Sequence, residues 1–354
     1  MARLKNKSTS SKSKKAAKIF DVAEMAGVSI KTVSRVVNNE PNVQEKTREK
    51  VLKEIARLNY RPNIAARGLS GKRSYVIGLV YENPHEFSYM KDVLNGALQV
   101  CDNAGYSLLL RPLTLPGESL VEDIRQVVFK TGMDGIVLTA PIVDIPEVKS
   151  MLSDQDIPYA CLAPRDHEDN SIVIQCDDEA ASLALTEYVI SLGHKRIAFI
   201  KGHPDHGASH KRFKGYRAAL KKHNLKYESS LVKQGYFDFE SGKVAARKLL
   251  NMQNFPSAII ASNDDMAAGV AFEGHENGFS IPEDISVVGF DDSPTASHMW
   301  PPLTTVRQPI TEMAARATEL LILQLQGGDV SSQEAAYTCE LVIRSSSGPP
   351  KVQG

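Results

Sequence analysis

Arg35 presents a planar fork of donors one helical turn beyond Lys31, with Ile30 and Ser34 alongside, in a strongly basic segment. That set suits the edges of DNA bases. An arginine fork can donate two bonds to guanine, worth about 1–3 kcal/mol of discrimination, a lysine reaches a guanine acceptor or a phosphate, and an isoleucine offers apolar contact to a thymine methyl. Ser29, Thr32, Asn38 and Thr47 carry groups that grip phosphates and fix register without reading sequence. Ser29 and Thr47 would serve equally well as helix caps. Residues 1–73 hold 18 Lys and Arg against 6 Asp and Glu, while the remainder holds 24 against 36. The balanced total thus hides a head suited to a polyanion and a body that repels one.

Other chemistries find less support. His203, His206 and His210 share one loop, but no matched carboxylate or cysteine set and no HExxH accompanies them, so no metal site is expected. No GxGxxG follows the first strand, and neither GxxxxGK[ST] nor GxSxG occurs, which argues against a dehydrogenase, a kinase or a hydrolase. No catalytic residue and no cofactor are predicted. Cys101, Cys161, Cys176 and Cys339 are scattered without CxxC spacing and read as buried thiols of a reducing compartment. The Lys- and Ser-rich start lacks the apolar core of a secretory signal, and no run approaches ~20 uncharged apolar residues. A cytoplasmic location with no membrane partner is expected.

Several elements must position these groups. Residues 1–18 are basic, serine-rich and poor in apolar surface, a composition that predicts a disordered tail. Over 19–62, Asp21 is expected to cap a helix through Ala26, Gly27 to permit a sharp turn, and Ser29 to cap a second helix to about Val37. A third helix begins near Glu45. Ile19, Val22, Ala23, Ala26, Val28, Val33 and Val36 would fill a small core, closed by Val51, Ile55 and Leu58. Residues 63–73 form a linker too short to be a stable helix alone. From 74 onward, β and α patterns alternate in two successive series, the second starting near Asp178, which predicts two parallel-sheet lobes. The fold class is therefore α/β, an N-terminal all-α helix-turn-helix head plus two doubly wound parallel-sheet lobes. Lobe 1 is placed at about 74–175 plus 308–330, lobe 2 at about 176–307 plus 335–343, and 344–354 is left as a tail. Ligands of such sheets bind outside the strands' carboxyl ends. Tyr81, Asn83, Phe87 and Tyr89 follow a strand end and could supply walls, although either tyrosine would serve equally well in a core.

The stretch DVAEMAGVSIKTVSRVVNNEPNVQEKTREKVLKEIARLNYRPNIAARGLSGKRS, residues 21–74, resembles the head of the LacI/GalR repressor family. The resemblance continues through IGLV at 77–80, LGHKRIAFIKG at 192–202, KRFKGYRAAL at 211–220, ASNDDMAAG at 261–269, ISVVGFDDS at 285–293 and PPLTTVRQP at 301–309. It implies a sequence-specific transcriptional repressor, homodimeric on a pseudo-palindromic operator, with a body of periplasmic-binding-protein type and an effector that changes DNA affinity. Residues 63–70 resemble the family's hinge helix, which implies minor-groove contacts by Asn63 and Ala66 and an apolar wedge at Leu69. Arg212, Phe237, Asn263, Asp291 and Gln308 match the family's ligand positions. Forked polar groups and an aromatic face suit a sugar, so an effector of carbohydrate utilisation is the leading expectation. A purine or phosphorylated-sugar corepressor, or no effector, are the alternatives. SSSGPPKVQG lacks a leucine heptad, so a dimer is expected rather than a tetramer.

Overall fold

The computed structural model describes residues 17–37, 42–60, 73–82, 87–114, 119–166, 172–330 and 335–351. Nearly all of the expected tail at 1–18, the linker up to 72, and with them Asn38, Asn63, Ala66, Leu69 and Asn83, lie outside the described residues. Contacts divide the chain into Met1–Ser74 and Tyr75–Gly354.

Three helices build the first unit: α1 (Ile19–Ala26), α2 (Ile30–Val37) and α3 (Glu45–Leu58). Val22, Ala23, Ala26, Val33, Val36 and Val51 form its buried centre, with Ile19, Val28, Ile55 and Leu58 packed around them, joined by Val37, Val43 and Tyr60. Helix α1 starts two residues before Asp21, so Asp21 does not cap it from in front. Asp21 instead stands at the third helical position and accepts from the Lys18 N–H at 2.7 Å, the reciprocal half of a capping box. Gly27 ends the helix at φ 60°, where a side chain would strain the turn.

In the second unit, β1 (Val76–Glu82), α4 (Phe87–Ala104), β2 (Ser107–Leu113), α5 (Leu120–Thr131), β3 (Gly135–Thr139), α6 (Pro146–Asp154), β4 (Tyr159–Leu162) and β5 (Ile172–Cys176) come first. Next come α7 (Asp178–Ser191), β6 (Ile197–Lys201), α8 (Gly207–Lys222), β7 (Val232–Gln234), α9 (Phe239–Leu250), β8 (Ala258–Ala261), α10 (Asp264–Glu276) and β9 (Ser286–Val288). The unit closes with α11 (Pro294–His298), β10 (Thr305–Arg307), α12 (Ile310–Leu325), β11 (Ala335–Tyr337) and β12 (Glu340–Val342). One all-parallel sheet has the order β11-β5-β4-β3-β1-β2 and a second the order β7-β6-β8-β9. Each sheet is covered on both faces, which is why its strands read as near-continuous apolar runs. In both sheets the winding reverses beside the first strand, between β1 and β3 and between β6 and β8.

Two expectations are corrected here. The single strand expected over 337–343 is two strands in different sheets: β11 pairs with β5 of the first sheet, and β12 pairs antiparallel with β10 beside the second. Residues 335–337 therefore belong to lobe 1. Nor is 344–354 a loose tail where it is described. Ser346 is fully buried, its hydroxyl donates to Val287 O at 2.6 Å, and Gly348 O accepts from the ring of His194 at 2.8 Å. These bonds pair strand-edge groups that burial would otherwise leave unsatisfied. Among the described residues no helix is long and apolar enough to cross a membrane.

Candidate DNA-reading head and effector pocket

In the head, Val33 and Val36 point inward, which turns the opposite side of α2 toward solvent. Ile30 and Lys31 are exposed, and Ser34 and Arg35 are half-buried. Ser29 is the residue before α2, and its hydroxyl accepts from the Thr32 N–H at 3.1 Å while sharing a 2.9 Å bond with the Thr32 hydroxyl. The serine thus caps α2 and engages Thr32 as well. Thr47 is not a cap, because Gln44 precedes α3 and Thr47 lies within its first turn, with its N–H bonded to Gln44 O at 2.9 Å.

Where both sheets reverse their winding, their carboxyl ends face a cavity of about 320 Å³. From the first lobe, Glu82 at the end of β1, Tyr89 and Met90 of α4, Thr139 and Ala140 at the end of β3, and Ala163 line it. The second lobe contributes Asp178, His203, His206, Ala208, Arg212, Tyr236, Phe237, Asp238 and Asp291, and Gln308 closes the wall.

Arg212 organises the second side. It is 4% exposed; its Nε donates to Asp178 Oδ1 at 2.7 Å, and its Nη1 donates to Ser262 O and to Asp291 Oδ1 at 3.4 Å. The guanidinium lies 3.8 Å from the centre of the Phe290 ring. Burial opposes its charge, but Asp178 and Asp291 together hold its pKa above the ordinary value. Among the described residues its Nη2 edge makes no hydrogen bond, leaving donors for a ligand. Gln308 Nε2 donates to Asp291 Oδ1 at 2.6 Å. Burial pushes the Asp291 carboxyl upward, against the pull of Arg212 and Gln308.

Pocket loops carry backbone strain. Ala163, Phe237 and Asp291 adopt φ of 52°, 66° and 116°, values that side chains disfavour. For Phe237 the restraint is visible: Asn263 Nδ2 donates to Phe237 O at 2.7 Å while Asn263 Oδ1 caps α10 by accepting from Met266 N at 3.0 Å.

Of the sequence-expected effector residues, Tyr89, Arg212, Phe237, Asp291 and Gln308 come together at the cavity. Asn263 does not line it; 2% exposed, it lies beneath Phe237 as a brace. Tyr81 is packed with Ile77 and Leu79 in the core, because two-residue alternation along β1 puts all three on one sheet face. Phe87 begins α4, and its side chain is outside the described set. Glu82 and Thr139 were missed, yet the strand-end rule that singled out Tyr81 leads to both. Asp178 carried no such signal: it opens α7 directly behind the N-cap Asp177, whose side chain accepts from Ala180 N.

Bonds also cross the cavity's rim. Arg165 Nη2 donates to Pro204 O and Asp205 O at 3.4 and 3.0 Å, Lys211 Nζ donates to Pro164 O and Gln175 Oε1 at 3.1 Å each, and His206 Nε2 lies 3.6 Å from Glu82 Oε2.

Comparison with known proteins agrees with this division. Residues 18–63 match bacterial regulatory proteins of the lacI family, and residues 186–347 match a periplasmic binding protein-like domain. The HTH-type transcriptional regulator AscG of Escherichia coli (strain K12) is 32% identical over 332 residues, 93% of this chain and 97% of that protein. A complex of the transcriptional regulator CelR with cellobiose is similar in structure at a TM-score of 0.72 and 30% identity, covering 93% of this chain and 99% of that one. The lac repressor dimer bound to operator and an anti-inducer gives 0.76 at 28% identity, covering 94% and 100%. With likeness running through both the DNA-reading head and the two-lobed body, the chain belongs to the lacI family and is a DNA-binding transcriptional regulator rather than an enzyme.

Proposed function

We propose that this regulator is a cytoplasmic repressor that binds a two-fold-symmetric operator as a homodimer and responds to a small neutral sugar held between its lobes. The observation that carries the sugar reading is the charge and shape of the cavity. Four carboxylates, of Glu82, Asp178, Asp238 and Asp291, line it against one guanidinium and two imidazoles, and the guanidinium is already shared by two of the carboxylates. Such a lining disfavours a phosphorylated sugar and suits hydroxyls, which both donate and accept. Phe237, Tyr236 and Tyr89 offer faces to the apolar side of a sugar ring. The volume falls within the usual range of small-molecule sites. The cellobiose held by the similar CelR is consistent with this class.

Ile30, Lys31, Ser34 and Arg35 are the base-reading set in this proposal, with Ser29, Thr32, Asn38 and Thr47 at phosphates and Asn63, Ala66 and Leu69 in the minor groove. Asn263 positions Phe237 rather than touching the sugar. A sugar that binds one arrangement of the lobes better than the other would shift their population, and operator affinity with it.

The test begins with the full-length protein and sheared DNA of its source organism at near-physiological salt, followed by sequencing of what is retained. Retained fragments sharing a two-fold-symmetric site, and their release by neutral sugars but not by sugar phosphates or purines, is the expected result. Diffuse retention that modest salt abolishes would overturn the operator reading. Release by a sugar phosphate or a purine alone would overturn the effector reading.

A further inference from the structure

Strands β6 and β7 are parallel neighbours in the second sheet, so the loops that leave their carboxyl ends lie side by side at the cavity. The first loop carries His203 and His206, the second Tyr236 and Phe237, and all four residues line the cavity. Their rings meet in succession: Tyr236 and His203 at 5.6 Å between centres, His203 and His206 at 5.3 Å, His206 and Phe237 at 5.4 Å. Exposure falls along this run, from 48% at Tyr236 through the half-buried His203 and His206 to 4% at Phe237. The rings thus lead from the rim to the floor, where the Arg212 guanidinium lies 5.8 Å from the Phe237 centre. Both loops are laced together. Gln234 Nε2 donates to Gly202 O in one and to Gly235 O in the other, at 2.6 and 2.7 Å, and Gly235 N donates to Lys201 O at 3.0 Å. Gly202 leaves the space that the Phe237 ring fills, since a Cβ there would stand against the ring atoms. The run of rings is therefore a built wall.

We propose that this wall is a second sugar subsite and that the effector is a neutral disaccharide, with one ring beside Arg212, Asp291 and Phe237 and the next along His206, His203 and Tyr236. The inference rests on the neutral-sugar reading of the cavity and adds the length of the ligand to it. A pyranose laid against one aromatic face covers that ring and at most its neighbour, whereas the wall continues through three successive ring contacts. Phe237 serves the ring on the floor, and Tyr236 and His203 stand further out. These outer rings are also the more polar ones. Imidazole nitrogens and a phenol hydroxyl edge their apolar faces, and the carboxylates of Asp238 and Glu82 border the same space, with Glu82 Oε2 3.6 Å from His206 Nε2. Faces that cover C–H surfaces, set beside groups that pair with hydroxyls, suit a second sugar ring better than an aryl or alkyl group.

Titration calorimetry on the full-length protein tests this with glucose and galactose against cellobiose, maltose, lactose and melibiose, and against p-nitrophenyl glucoside. The best-bound disaccharide should bind about tenfold tighter than either of its own monosaccharides, the worth of one or two ring contacts. His203→Ala and Tyr236→Ala should each remove most of that advantage while leaving monosaccharide affinity within about twofold, because neither ring touches the floor subsite. A monosaccharide bound as tightly as any disaccharide would overturn the second subsite and leave the neutral-sugar reading standing. Variants that weaken monosaccharide and disaccharide equally would overturn it too, by showing that the wall only supports the loops. Tightest binding by p-nitrophenyl glucoside would replace the second sugar ring with an apolar group. No binding of any of these neutral sugars would instead bring down the sugar reading beneath the inference.

Discussion

Arg212 shows how one side chain can serve both stability and recognition. It neutralises Asp178 and Asp291 in a site that is itself buried, so removing it strands two carboxylates away from water. Arg212→Met should cost about 3–5 kcal/mol, seen by calorimetry as a melting point roughly 10 °C lower. A shift within experimental error would show that the carboxylates relax by another route. His194 is a second buried group with a measurable signature. Its ring contacts the Ser257 and Ser286 hydroxyls and Gly348 O, and burial, against the Gly348 bond, lowers its pKa from 6.5. The unfolded chain then binds a proton that the folded chain refuses, so its stability contribution is full above pH 6.5 and falls as the pH drops toward the folded value. His194→Gln should flatten the difference in urea midpoint between pH 7.5 and 5.5, and an unchanged difference would assign that pH dependence to other groups.

At the scale of elements, helix starts and strand ends do most of the positioning. Asn263 joins two jobs in one amide: it caps α10 and ties down the left-handed Phe237. Loss of the cap alone costs about 1 kcal/mol, while loss of the tether frees a ring that lines the cavity. Asn263→Ala should therefore weaken effector binding at least tenfold with only a modest fall in stability, whereas Asn263→Asp, which keeps the cap acceptor but turns a buried carboxylate oxygen toward Phe237 O, should recover neither affinity nor the full stability. Equal affinities in titration calorimetry would remove Asn263 from the pocket's support. The same helix-start logic accounts for Ser29 before α2 and for the difference at α1, where Asp21 caps from inside the first turn.

For the two-lobed body as a whole, what matters is how closely the lobes approach. Gly207 opens α8 in lobe 2, and a Cβ there would stand 2.5 Å from Cα of Arg165 in lobe 1, a backbone contact that cannot swing aside. Around this point run the Arg165, Lys211 and His206 contacts that cross the rim. Gly207→Ala should pry the lobes apart while leaving each lobe's own core untouched. Small-angle scattering should then show a larger radius of gyration, and affinity for the effector should drop by an order of magnitude or more. An unchanged radius and affinity would mean that this approach does not govern closure.

The amino-acid sequence by itself determined the class of the molecule: a basic three-helix head and two wound α/β series. Those features rest on local periodicity, on caps and turns, and on charge balance, all of which act over a few residues. Arg212, Phe237, Asp291 and Gln308 were legible through the family resemblance and Tyr89 through its place after a strand end, and the structure brings them to one cavity. Only the tertiary structure decided that Tyr81 turns into the core, that Asn263 braces rather than lines, and that Glu82, Thr139 and Asp178 reach the same space. It alone split 337–343 between two sheets and fixed Ser346 onto β9. Pattern along a chain tells which side of an element is apolar; it carries no information on which distant strand ends meet, because that is set by packing between residues far apart along the chain.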